Sequence, residues 1–267
     1  MNEFFQWKRH PFTDARPLSV PYLSSAEHKL IHTAKSLLSL GKSFAMAGPS
    51  GSGKTTLIQY FLNQLDSSTY HPIYLHYGGL KRSGLLRALA DLMGVDPAGR
   101  QIPLLTKLQK HLQQLNKENH APYPVIVVDD AHLMERDTLL DLCSLLVMPG
   151  NNRPASSLIL IGDPSFPKLL NLHVMAPVKT RLTICFPMRS LGVEDVKALI
   201  QLRLKEAEAP SDLFEKEAIE LVFAQVAGNR RELMNICTLL LEEAFSRKEK
   251  TVGTQLVHNN VWTHSGE

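Results

Sequence analysis

Eight residues near the start of the chain have the types and spacing to bind phosphate. Gly48-Pro49-Ser50-Gly51-Ser52-Gly53-Lys54-Thr55 fits the pattern G-x-x-x-x-G-K-[ST] in full. Glycines let the backbone turn so that successive N–H groups face an anion, and a helix starting there adds partial positive charge. Lys54 is expected to reach the β- and γ-phosphates of a nucleotide. Thr55 is expected to offer its hydroxyl to Mg²⁺, with Thr56 beside it in the first turn.

A bound magnesium ion needs a second holder. Val125-Ile126-Val127-Val128-Asp129-Asp130 supplies four apolar residues and then two carboxylates. Asp129 is the expected metal-side carboxylate, and Asp130 is placed to polarise an attacking water. Asp163 follows the run Ser157–Ile161 and is expected near the γ-phosphate, the alternative being a turn residue in Gly162-Asp163-Pro164. Arg181 precedes the run Leu182–Phe186 and is a candidate to act on phosphate charge across a subunit boundary, with Lys179 as a competitor. Arg231 follows Ala227-Gly228-Asn229-Arg230 and is the candidate for sensing bound nucleotide. Arg230 is adjacent and competes for that role.

The elements that must position these groups alternate. Short, continuously apolar runs at 43–47, 71–76, 125–128, 157–161 and 182–186 read as strands. Helices are expected at 55–65, 83–93 and 104–115. Such strands separated by helices imply a parallel sheet covered on both faces. After Ser190 the strand signal stops, and 193–208, 215–226 and 231–246 all read as helices. The expected organisation is an extended aromatic arm over 1–25, an α/β nucleotide-binding domain over 26–188, a helical lid over 189–250 and a tail over 251–267.

The remainder is ordinary for a folded protein. Its 267 residues carry 29 Lys+Arg against 26 Asp+Glu, and 44% are apolar. A disordered chain, a fibre and a uniformly basic protein are excluded. Cys143, Cys185 and Cys237 lack CxxC or zinc spacing and read as buried thiols. Residues 1–12 lack the apolar stretch of a signal peptide, and no apolar run reaches membrane length. A cytoplasmic protein without a membrane segment is expected.

The order of phosphate loop, paired aspartates, polar strand end, arginine and helical lid resembles the AAA+ ATPases. Within them it is most similar to the ExeA/GspA-type ATPases and to the transposition ATPases related to TnsC and TniB. The resemblance covers residues 8–246. It rests on Pro11-Phe12, Tyr22-Leu23-Ser24 with Glu27-His28, Gly162-Asp163-Pro164, Thr180-Arg181-Leu182, and Gly228-Asn229-Arg230-Arg231 with Cys237. It implies a P-loop NTPase parallel sheet with a C-terminal helical lid, and ATP with Mg²⁺ as cofactors. It also implies ring or filament self-association, and it aligns Arg231 with the lid arginine. The chain departs from the family at three places: Asp130 stands where glutamate is usual, Asp163 replaces a neutral side chain, and Arg230 replaces a proline. The shorter carboxylate predicts slow hydrolysis or a shifted water.

The client divides the resemblance. One reading is a regulator of DNA transposition that binds duplex DNA and recruits a transposase or target-selection protein. The other is a secretion or envelope-assembly ATPase without DNA binding; a switch ATPase in defence or signalling is a third. A chain ending at the lid was the feature expected of the first. Local charge supports it: residues 1–188 hold 19 Lys+Arg against 13 Asp+Glu, and 189–267 hold 10 against 13. Within 76–117 seven basic residues, including Arg100, face two acidic ones. By resemblance to TnsC-like proteins, Lys81 and Arg82 are the expected DNA contacts. Phosphate contacts of this kind are salt-dependent and carry little sequence information.

Overall fold

The structure, a computed structural model, describes residues 1–13, 18, 20–98, 102–117, 121–147 and 154–259. Pro17 of the aromatic arm, Arg100 of the basic stretch and the tail beyond 259 lie outside the described residues.

The chain folds as two compact units. The larger comprises 26–49 and 58–188; the other comprises 1–25, 50–57 and 189–267.

The larger unit is built on a five-stranded sheet. Its strands are β1 (Ser43–Ala47), β2 (Tyr70–His76), β3 (Tyr123–Asp129), β4 (Ser157–Gly162) and β5 (Leu182–Pro187). Their order is β2-β3-β4-β1-β5 and every pairing is parallel. The three inner strands are buried along their whole length, which is why apolar residues fill them apart from Ser43, Ser157 and Asp129 at their ends. The edge strands β2 and β5 are partly exposed, and they admit His71, His76 and Thr183 among their apolar residues. Pro72 falls on the β2 edge, where a lost donor is tolerated.

Helix α2 (Ser25–Ser39) precedes β1, and α3 (Lys54–Asn63), α4 (Arg82–Leu92), α5 (Leu104–Leu115), α6 (Arg136–Ser144), α7 (Phe166–Leu170) and α8 (Ala176–Lys179) intervene between strands. Leu85 and Leu89 of α4, Leu108 and Leu112 of α5, and Leu139 and Leu142 of α6 fill one core against Ile126, Val128, Leu158 and Leu160. The helix α6 had no counterpart in the sequence reading. It is short, and its inward face includes Asp141 as well as leucines.

The other unit has its own core. The short helix α1 (Asn2–Phe5) precedes α9 (Val193–Glu206), α10 (Lys216–Val226), α11 (Arg230–Arg247) and α12 (Thr254–Asn259) here. Phe5, Trp7 and Phe12 are buried with Leu199, Val222, Leu233 and Leu241. The arm is therefore part of this core, and its start is helical where an extended chain was expected. Lys8 pairs with Glu208 and Arg9 with Glu206 along its edge. The segment after 250 is ordered through 259 rather than loose. Val252 pairs with Phe214 in a parallel bridge, and Leu256 and Val257 are buried.

Candidate functional site

The phosphate loop is held by the first residues of α11. Asn229 caps that helix: its side-chain oxygen accepts from the N–H groups of Arg231 and Glu232. Its amide nitrogen donates to the Ser50 carbonyl at 2.9 Å. The Gly51 carbonyl accepts from the backbone N–H of Arg230 at 3.0 Å and of Arg231 at 3.3 Å. The Arg230 guanidinium donates to the Ser52 carbonyl, and that of Arg231 to the Ser50 hydroxyl at 3.0 Å.

These contacts explain two of the motif glycines. Gly51 and Gly53 have φ of 74° and 92°, which side chains rarely adopt. A Cβ at Gly51 would lie 2.2 Å from the Asn229 side-chain oxygen, and one at Gly53 would lie 2.8 Å from the Arg230 guanidinium. The backbone between them can therefore approach the lid residues only without side chains. Ser52 is 1% exposed, and its hydroxyl has no hydrogen-bond partner among the described residues. A phosphate oxygen would supply one, so the loop fits an anion. Lys54 and Thr55 open α3, and Thr55 and Thr56 are exposed.

The acidic candidates gather at the C-terminal edge of the sheet in the larger unit. That edge is where open parallel sheets carry their sites. Asp129, 3% exposed, ends β3 beside His76 of β2. One of its oxygens accepts from the Tyr74 hydroxyl at 2.8 Å and the other from the Asp130 N–H at 2.9 Å. Asp130 is left-handed, at φ 58° and ψ 33°. Its carboxylate lies 3.7 Å from His76 Nε2. Asp163 follows Gly162, whose carbonyl accepts from the Gly48 N–H. The Asp163 carboxylate also accepts from both the N–H and the hydroxyl of Ser165, a turn role, and lies 3.8 Å from His132 Nε2. Partial burial raises its pKa, but the Ser165 bonds, His132 and the Phe166 N–H outweigh this and hold it below the ordinary carboxylate value.

Tyr74, His76, His132 and Asn229 join these sites without having been singled out in the sequence. The first three lie on an edge strand and a short turn that no motif covers. The signal for Asn229 was the helix cap following Gly228.

The remaining candidates are separate. Arg181 is exposed and lines a cavity of about 560 Å³ with Cys143, Pro177 and Thr180. Burial pushes the Cys143 thiol up to about 11 despite the pull of Arg181. Lys179 donates to the Asn171 side chain at 2.7 Å. Arg82 forms a two-pronged pair with Asp141 at 2.5 and 2.7 Å, and Asp141 is 8% exposed at its side chain. The pair ties α4 to α6, and much of Arg82's charge is answered within the fold. Lys81, at the cap of α4, is exposed. Lys107 donates to the Asp96 and Ala98 carbonyls, so the basic stretch is partly consumed in structure. Among the described residues no group of three or more His, Cys, Asp or Glu side chains is arranged to hold a metal ion. No helix among the described residues is long and apolar enough to cross a membrane.

Comparison with known proteins gives consistent results. Residues 39–170 match the family model described as AAA domain. The General secretion pathway protein A of Aeromonas hydrophila is 25% identical over 263 residues, which are 97% of this chain and 47% of that protein. The chain thus spans about half the length of this curated relative. Among solved structures, the Aeropyrum pernix ORC2 protein in its ADPNP-ADP complexes is similar with a TM-score of 0.71 at 15% identity, over 96% of this chain and 72% of that one. The Aeropyrum pernix ORC1 protein in complex with DNA is similar with a TM-score of 0.66 at 17% identity, over 93% and 67%. Residues 39–170 are thus similar to an AAA domain, and the chain has the P-loop AAA+ fold, a parallel five-stranded sheet with helices and a C-terminal helical unit.

Proposed function

We propose that the chain is a Mg²⁺-dependent ATPase module. The observation that carries this reading is the phosphate loop, with its full motif, two left-handed glycines and the buried Ser52 hydroxyl, which has no partner among the described residues.

In this reading the N–H groups of the loop receive the β-phosphate, and Lys54 neutralises charge on the β- and γ-phosphates. Gly48, Pro49, Ser50, Gly51, Ser52 and Gly53 form the cradle, and Thr56 adds to the first turn. Thr55 and Asp129 hold the ion, and Tyr74 fixes the Asp129 carboxylate. Magnesium supplies charge compensation along the phosphates when bound. Asp130 accepts a proton from the attacking water. Asp163 orients polar groups near the γ-phosphate, Arg181 acts on a neighbouring copy's nucleotide, and Arg231 answers to the bound nucleotide from the lid. The Arg181 role requires self-association into a ring or filament.

For the client we favour the secretion and envelope-assembly reading of the ExeA/GspA type, because the sequence relative aligns along nearly the whole chain. The transposition reading, with duplex DNA and a transposase as partners, keeps one specific support. Lys81, Arg87, Lys110 and Lys117 are all exposed, and a structural relative is described in complex with DNA.

The test is nucleotide and DNA binding on the same protein. MgATP binding is expected in the wild type and lost in Lys54→Ala. Asp130→Asn is expected to keep binding and lose turnover at least a hundredfold. Turnover unchanged in Asp130→Asn would reassign the water-activating residue. ATP-dependent duplex binding that weakens with salt and with Lys81→Ala would return the transposition reading to first place.

A further inference from the structure

Three consecutive carbonyls of the phosphate loop, those of Ser50, Gly51 and Ser52, accept hydrogen bonds from Asn229 and Arg230, with Arg231 sharing the middle one. A peptide unit is planar, and every peptide bond here is trans. In a trans unit the carbonyl and the next N–H point in opposite directions. Pinning the three carbonyls therefore turns the N–H groups of Gly51, Ser52 and Gly53 away from α11. Glycine makes such pinning necessary: peptide units beside Gly51 and Gly53 rotate at little steric cost, and a freely rotating loop offers its donors in no fixed direction.

We infer that Asn229 and Arg230 are positioning residues that preset the donor array of the phosphate loop, so that nucleotide affinity depends on engagement of the α11 N-terminus. The inference rests on the ATPase reading above. Asn229 is the more informative residue because its amide performs two separable tasks. Its oxygen caps α11 and its nitrogen holds the Ser50 carbonyl. An anion arriving at a preset loop meets donors already aimed, and the ordering cost is met within the fold rather than on binding.

The two tasks separate in Asn229→Asp. Aspartate caps as well as asparagine does, but it cannot donate to the Ser50 carbonyl. In the full chain, Asn229→Asp is expected to melt within about 2 °C of wild type, as expected with the cap intact. It is expected to bind MgATP and MgADP about five- to tenfold more weakly, the loss of roughly one hydrogen bond. Turnover at saturating ATP is expected to stay near wild type, so that KM rises and kcat does not. Without nucleotide, the Arg230 and Arg231 amides should exchange with deuterium faster than in wild type. Wild-type affinity together with wild-type exchange in Asn229→Asp would overturn the inference and leave the ATPase reading intact. Should that variant fold poorly, Asn229→Ser keeps a capping oxygen and ends short of the Ser50 carbonyl, and the same outcomes decide. If the wild type takes up no nucleotide, the ATPase reading falls. The exchange of the Arg230 and Arg231 amides then decides the latch alone: faster exchange in Asn229→Asp supports it, and unchanged exchange overturns it.

Discussion

Asp130 occupies the left-handed region of backbone space, which aspartate and asparagine enter more readily than glutamate. The turn that ends β3 holds it there, at φ 58°. Lys54, Thr55, Asp129 and Asp130 were legible as candidates because motif spacing marks them. The supports of Asp129 were not, because Tyr74 lies 55 residues away and reaches it only through the pairing of β2 with β3. Removing that hydroxyl takes a donor from a buried carboxylate. Tyr74→Phe should lower stability by about 1–3 kcal/mol, read from urea unfolding, and should weaken the magnesium dependence of nucleotide binding.

At the level of elements, the inner strands were legible almost to the residue, because a strand covered on both faces must be apolar throughout. The helix α6 was not, since its inward face carries Asp141 to meet Arg82, and a charge-paired face breaks the apolar pattern. The entry to α7 depends on Asp163, which is both a turn residue and a site candidate. Its folded pKa lies below its ordinary value, so its stabilisation is present above the unfolded value and is lost as pH falls through the folded one. Melting temperature should therefore decline as pH falls through and below the ordinary carboxylate value, and Asp163→Asn should flatten part of that decline. The arm illustrates a different limit. Its aromatic residues announced burial, but only the tertiary structure shows their neighbours. Trp7 is stacked on Phe5 at 4.6 Å, and its indole N–H donates to the Asn2 side chain at 2.8 Å. Trp7→Ala should cost about 3–5 kcal/mol in chemical denaturation.

For the whole molecule, the near-neutral net charge of +3 conceals an uneven distribution, and the structure reduces what that distribution offers to a partner. Within 76–117 Arg82 and Lys107 bond within the fold, while Lys81, Arg87, Lys110 and Lys117 are exposed. Sequence counting treats all these residues alike, because it does not register which charges already have partners. Nucleotide binding acts on the molecule as a whole through linkage. MgATP at a hundred times its Kd should raise the unfolding free energy by about 2.7 kcal/mol, seen as a thermal shift absent from Lys54→Ala. The arm also has a consequence for how the molecule is made. Phe5, Trp7 and Phe12 leave the ribosome well before the residues that bury them, which run from Leu191 to Val257. At ordinary elongation speed those aromatic side chains wait about 10–50 s for the rest of their core. During synthesis this aromatic segment is thus greasy and unsatisfied, suited to holding by a chaperone, and its unit can fold only after the helices through Val257 have emerged.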